Sequence, residues 1–182
     1  MKKEVVDRFL LKIDELNDIS TQILAVDTPQ QASSMFEDLL ISAYIEGIAG
    51  ANYLLGGGAS VGEENLRDAI DWKYKGVSIQ QRLIAHYEKG SLPDIKNLVE
   101  SEFHRVYTMA QLDAAKEIGK SKKTWVDAGD DKVRDTHAYL NGITIDIDDE
   151  FITFDGDSAK VPGGFTLAQN NANCRCILDF SD

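Results

Sequence analysis

The chain has 182 residues, of which 43% are hydrophobic and 27% charged, and its formal net charge is −12. This composition supplies enough apolar side chains for a packed core and excludes a disordered chain. Acidic residues outnumber basic ones 31 to 19, which argues against a general DNA-binding surface, because attraction to phosphate requires clustered lysine and arginine.

The first half of the chain predicts two long helices. Apolar residues at three- and four-residue intervals over 5–16 predict an amphipathic helix that ends near the polar pair at 17–18. A second, more apolar helix is predicted over 31–55, and the three glycines at 56–58 end it.

Capping patterns predict the next helices. Ser60 followed by Glu63 is typical of a capping box, which starts a helix that we expect to reach Gly76. Ser78 followed by Gln81 has the same pattern. The longest predicted helix spans 91–119, with apolar residues at helical spacing.

The character of the sequence changes after Gly119. Short β-prone segments alternate with turns, and the expected strands lie at 122–128, 143–147, 151–154 and 174–180, with a short helix within 130–142. The predicted fold class is therefore α+β: a helical N-terminal region and a long connecting helix, followed by a small mixed domain with a short antiparallel sheet.

Both cysteines of the chain lie near its end, at Cys174 and Cys176. Two residues apart on a strand, they face the same side and can present both sulfurs to one metal. His137 is the best further ligand, with Asp135 or Asp127 nearby in sequence, and a Cys, Cys, His set suits zinc once a fourth ligand completes a tetrahedron. Two alternatives remain: a thiol nucleophile with His137 as its base, or two buried small hydrophobic residues.

Two charged features have less specific interpretations. The acidic run over 146–157 lacks the glycine of a calcium loop, so we interpret it as a solvated hairpin. Glu102, His104 and Arg105 form a charged cluster on the longest helix that could dock a partner.

The N-terminus lacks the unbroken apolar region of a signal peptide, and no segment approaches the roughly 20 apolar residues of a membrane span. We therefore expect no membrane contact and synthesis in a reducing cytoplasm, where structural disulfides are rare.

Four motifs follow one another in the second half of the chain: Trp125-Val126, Arg134-Asp135-Thr136-His137, Leu140-Asn141-Gly142 and Asn173-Cys174-Arg175-Cys176. Their order resembles the C-terminal domain of the phage Mu F-like head-morphogenesis, or minor capsid, proteins. The resemblance covers roughly residues 78–180. It divides the chain into a helical N-terminal region, 1–77, and a Mu F-like domain, 78–182.

This resemblance implies a phage or prophage protein that is made in the bacterial host and placed in the capsid interior or at the portal vertex. It implies a structural and assembly role in head assembly, DNA packaging or DNA delivery, without enzymatic activity. The implied partners are the portal protein and other head proteins, with indirect contact to packaged DNA. Deleting the residues before about 78 is then expected to abolish incorporation into heads, while the second part still folds.

The resemblance also bears on the cysteines. Many relatives have CxxC where this chain has Arg134 and His137, and a histidine where it has Asn171. That fuller pattern resembles a zinc site, of which His137, Cys174 and Cys176 remain here. A structural zinc is thus the one cofactor implied, and the alternative function is a zinc- or thiol-dependent enzyme, or a toxin-related domain, that uses the same three residues.

Overall fold

The computed structural model describes the backbone of residues 2–182 and the side chains from residue 12 onward, so the predicted apolar positions before residue 12 lie outside the described side chains. The helices are α1 (Lys2–Ala25), α2 (Pro29–Leu55), α3 (Glu63–Ile70), α4 (Ile79–Glu88), α5 (Leu92–Glu117), α6 (Asp135–Leu140) and α7 (Ala168–Asn171). The strands are β1 (Lys73–Tyr74), β2 (Val77–Ser78), β3 (Lys122–Val126), β4 (Thr144–Asp146), β5 (Phe151–Ile152), β6 (Ser158–Ala159) and β7 (Ile177–Ser181). The predicted α+β class is confirmed.

Helix α1 runs past its predicted end at residues 17–18 and reaches Ala25. The apolar stripe continues beyond the polar pair, because Leu16 and Ile23 are both buried in the helical core. The hydroxyl of Ser20 donates to the carbonyl of Leu16 at 2.6 Å, so a polar residue on the buried face is satisfied within the helix.

The capping predictions had mixed outcomes. Ser78 and Gln81 form the expected capping box at the start of α4. Ser60 does not cap α3, which begins at Glu63 after Gly62 without a side-chain cap. The backbone N–H of Ser60 instead donates to the carboxylate of Glu117 at 3.1 Å, so a tertiary contact replaces the local cap.

Helix α3 also ends earlier than predicted, at Ile70 rather than at Gly76. The intervening residues form the hairpin β1–β2, whose turn residues Lys75 and Gly76 both have positive φ, at 49° and 80°. Two positive φ angles in a two-residue turn are typical of hairpins, and glycine adopts them without strain.

The main contact of the helical region is between α2 and α5, and it depends on small residues. Ala43, Gly47 and Ala51 follow one another at four-residue spacing on the buried face of α2. A Cβ atom on Gly47 would clash with the carbonyl oxygen of Tyr107 and lie 2.7 Å from the Cβ of Ala110. The two helices therefore approach too closely for a larger side chain there.

A second core lies under the strands. The sheet order is β4-β3-β7, all antiparallel, and β5 pairs with β6 in a separate two-stranded sheet. Trp125 of β3 is fully buried at the centre of this core. Leu112 and Ala115 of α5 belong to this second core, whereas Val106 and Ala110 of the same helix belong to the first. Helix α5 therefore contributes to both cores.

The prediction that the cysteines lie on the last strand is wrong. Strand β7 begins at Ile177, after both cysteines, which lie in an extended segment without ladder pairing. The turn before this segment is made by Asn173, whose φ is +55°.

The acidic run is less solvated than predicted, because Asp157 is only 5% exposed. Its carboxylate accepts hydrogen bonds from the backbone N–H groups of Ser158, Thr166 and Leu167, from the Thr166 hydroxyl and from the Asn170 amide. Burial acts to raise the pKa of Asp157, but these donors outweigh it and lower the pKa below the ordinary 3.8. This carboxylate therefore organises the loops on either side of β6.

Within residues 2–182, no helix combines the length and apolarity needed to cross a bilayer.

Candidate metal centre

The structure brings together the three residues that the sequence suggests as metal ligands. The Nδ1 atom of His137 lies 3.6 Å from the Sγ of Cys174 and 3.3 Å from the Sγ of Cys176. Their ligand atoms all lie within 4.8 Å of one another, and all three side chains are buried. The two sulfurs and one imidazole nitrogen thus converge on one small volume.

The aromatic core fixes the imidazole of His137. The Trp125 ring meets it edge-on at a centroid distance of 5.2 Å, and the Phe165 ring lies 5.4 Å away. The Nε2 atom is buried and has no hydrogen-bond partner among the described residues, so Nδ1 is the nitrogen available to the sulfurs.

Two arginines of the motifs hold the backbone around the cysteines. The guanidinium of Arg134 donates to the carbonyl oxygens of Gln169 and Ala172, at the end of α7. Arg175 makes a bidentate pair with Asp130, at 2.6 and 2.7 Å, and thereby lowers the pKa of that carboxyl to about 2. The segment from α7 to β7 is thus tied both to the α6 N-terminus and to the loop that precedes it.

The remaining motif residues lie around the centre and do not contribute to the ligand cluster. Asn141 accepts a hydrogen bond from the N–H of Asp127, and Gly142 donates to the carbonyl of Trp125, so both fix the end of α6 against β3. Asp135 is the exposed first residue of α6. Neither Asp127 nor Asp135 belongs to the cluster formed by the cysteines and His137.

The two thiols share protons unequally. The hydrogen bond from Cys176 lowers the pKa of Cys174, against the effect of burial, and the nearby imidazoles of His104 and His137 lower it further. The same hydrogen bond and burial raise the pKa of Cys176, which the Trp125 indole opposes. The arrangement therefore favours one thiolate and one thiol beside an imidazole, which suits a soft divalent cation.

The geometry fits a structural ion better than a catalytic thiol. Cys174 is 5% exposed and Cys176 is 3% exposed, whereas a nucleophilic cysteine must be reached by its substrate. The neighbouring cavity, between the loop over 128–134 and the cysteines, measures only about 10 Å³, which is room for about one water molecule.

The sequence-based interpretation of the charged cluster on α5 is wrong, because all three residues are buried. The Glu102 carboxylate binds Arg82 at 2.5 Å and Arg105 at 2.7 Å, and the guanidinium of Arg105 also lies 4.7 Å from the Trp72 ring centroid. His104 faces the other way and interacts with Cys174. Helical spacing could have revealed this, because His104 shares a face of α5 with Leu112 and Ala115, which lie in the second core.

Comparison with known proteins supports the resemblance seen in the motifs. The family model described as Phage Mu protein F like protein matches residues 65–179. The minor head protein GP7 of Bacillus phage SPP1 is 32% identical over 91 residues, which are 48% of this chain and 30% of that protein. An NAD(+)--arginine ADP-ribosyltransferase of Enterococcus faecalis, EFV, is 43% identical over 72 residues, which are 39% of this chain and 15% of that protein.

The chain thus spans less than a third of the length of either relative. No solved structure matches it. The family match covers more than half of the chain and includes Trp125, His137 and both cysteines. The chain therefore belongs to the family of proteins that are like the F protein of phage Mu.

Proposed function

We propose that the protein is a phage or prophage head-morphogenesis protein, a structural and assembly component of the virion rather than an enzyme. The observation that carries this proposal is the family match over residues 65–179, together with the similarity to a minor head protein. The buried state of His137, Cys174 and Cys176 agrees with a structural role. The transferase activity named for the enterococcal relative is not carried over, because the chain spans only 15% of that protein.

The finer part of the proposal concerns partners and place. The protein contacts the portal and other head proteins in the capsid interior or at the portal vertex, and reaches packaged DNA only indirectly. The net charge of −12 agrees with protein partners better than with direct DNA contact. An exposed apolar ridge on α2, formed by Ile45, Ala49 and Tyr53 at four-residue spacing, supports a protein-binding surface in the helical region.

This proposal is tested by weakening the α2 ridge without removing α2. The double variant Ile45→Ser with Tyr53→Ser should lower incorporation into heads and co-purification with the portal, measured by quantitative mass spectrometry of purified particles. Substitution is more informative than deletion of residues 1–77, because deletion would uncover the face of α5 that packs on α2.

The matched control is Ile152→Ser with Phe154→Ser, which removes an equally exposed pair from the mixed region. If the control abolishes incorporation and the ridge variant does not, the partner surface is not on the α2 ridge. If neither wild-type protein nor any variant is found in particles of the phage that encodes it, the head-assembly function itself is wrong.

We also propose that His137, Cys174 and Cys176 hold a structural zinc ion. The donor set of two sulfurs and one imidazole nitrogen is typical of structural zinc sites, and closing the site around the ion would stabilise the segment that leads into β7. Purified protein should contain about one zinc per chain, and removal of the metal by a chelator should lower the melting temperature. Cys176→Ser should lose the metal, whereas Ser181→Ala, an exposed control in the same terminal segment, should retain it.

A further inference from the structure

Three ligands leave a structural zinc site incomplete, because such sites are almost always four-coordinate. Helix α5 passes beside the cysteines, and the residue that it places there is His104. Its side chain is 2% exposed and interacts with the thiol of Cys174.

The orientation of His104 follows from the packing of α5. One turn later on the same face, the hydroxyl of Thr108 donates to the carbonyl of Pro162 at 3.0 Å. Leu112 and Ala115, further along this face, lie in the core that contains both cysteines. The face of α5 that carries His104 is therefore held against the mixed region at several successive turns.

We infer that His104 is the fourth ligand of a zinc site completed by His137, Cys174 and Cys176. This inference rests on the zinc proposal above, and extends it to a residue in a different element. The carboxylate alternatives are less well placed, because Asp127 and Asp135 lie outside the ligand cluster and Asp135 is exposed.

Such a site would join parts of the chain that the backbone does not join. His104 belongs to α5, which contributes to both cores, whereas the cysteines lie in the segment before β7. A metal bound by all four residues would cross-link the long helix to the end of the mixed region, as structural zinc does in small domains.

The test is X-ray absorption spectroscopy of the full-length chain loaded with zinc, with cobalt-substituted protein as a second optical probe. We expect two sulfur and two imidazole ligands in the wild-type protein, and cobalt spectra typical of four-coordinate sites. In His104→Gln, which keeps a polar side chain of similar size, we expect one imidazole fewer and at least an about 10-fold loss of zinc affinity, the lower end for loss of even an outer-shell partner. His86→Gln, a half-buried histidine on α4, should match the wild type in both measurements.

The outcomes separate the two proposals. Wild-type protein that binds no zinc at all overturns both the zinc proposal and the role of His104. Wild-type protein that binds zinc through two sulfurs and one imidazole, with water in the fourth position, leaves the zinc proposal standing and overturns the role of His104. The wild-type ligand count alone gives this answer, so the test does not depend on the His104 variant folding.

Discussion

The helical and mixed regions are held together in different ways. In the helical region, α2 and α5 are 27 and 26 residues long and pack through the close approach of small side chains. In the mixed region, no strand exceeds five residues and the helices have six and four, so side-chain hydrogen bonds and ring contacts must hold the loops in place. The first region should therefore be sensitive to added volume, and the second to the loss of individual polar groups.

The largest expected effect is on the contact between α2 and α5. Gly47→Ala adds one methyl group where a Cβ clashes with Tyr107, so the helices must separate, and we expect a loss of about 3 kcal/mol in the free energy of unfolding. Chemical denaturation followed by circular dichroism measures this loss.

Gly58→Ala is the matched control, because a Cβ there meets no atom within 4 Å. It should leave the stability unchanged within about 0.5 kcal/mol. Equal effects of Gly47→Ala and Gly58→Ala would contradict the close-packing account of the helical region.

The next effect is on the polar network of the mixed region. Asp157→Asn places an amide donor against the backbone and side-chain donors that now bind the carboxylate, and we expect a loss of about 2 kcal/mol. Asp149→Asn, an exposed acidic residue of the same run, should change stability little. A wild-type-like Asp157→Asn would show that this carboxylate does not organise the loops.

The same carboxylate predicts an acid dependence. Because the folded-state pKa of Asp157 is below the ordinary 3.8, the unfolded chain binds the proton first as the pH falls. Its stabilisation is fully present above the unfolded pKa, and is lost as the pH falls through the lower, folded-state pKa. The difference in unfolding free energy between wild type and Asp157→Asn should therefore shrink below pH 3.8, which acid titration of the two proteins can measure.

The smallest expected effect concerns Lys123, whose side chain is fully buried and donates to the carbonyl of Lys160 at 2.9 Å. Burial, with the nearby charges of Lys116 and Lys160, lowers its pKa from 10.5 to about 8. Between these two values the unfolded chain binds more protons, so stability should rise with pH over that window.

Replacing the buried ammonium should remove this dependence. Lys123→Met should gain on the order of 1 kcal/mol at pH 7 and flatten the profile between pH 8 and 10.5. Its exposed neighbour gives the control: Lys122→Met should keep the wild-type slope. Identical slopes for all three proteins would mean that Lys123 titrates normally.

The elements that could be predicted from sequence are those specified by local patterns. Helix α5 has a regular apolar repeat, and the Ser78–Gln81 box caps α4 as expected. The failures occurred where tertiary contacts decide the outcome, as when Glu117 binds the N–H of Ser60 and the predicted cap is lost. No pattern within a short window contains that contact.

The candidate site was predictable to a similar extent. The spacing of Cys174 and Cys176, together with the motif that carries His137, was enough to suggest three converging ligands. His104 was assigned to a surface cluster, because its contact with Cys174 depends on how α5 is rotated against the second core. The strand position of the cysteines was also wrong, since β7 begins only after them.

The shared helix α5 has a consequence for synthesis of the chain. It is completed roughly 60 residues after the end of α2, which at about 5–20 residues per second corresponds to roughly 3–12 seconds on the ribosome. During this interval the buried face of α2, with Phe36 and Leu40, has no α5 to cover it. Nascent chains should therefore engage chaperones until residue 117 has emerged, and both cores should then become protease-resistant together.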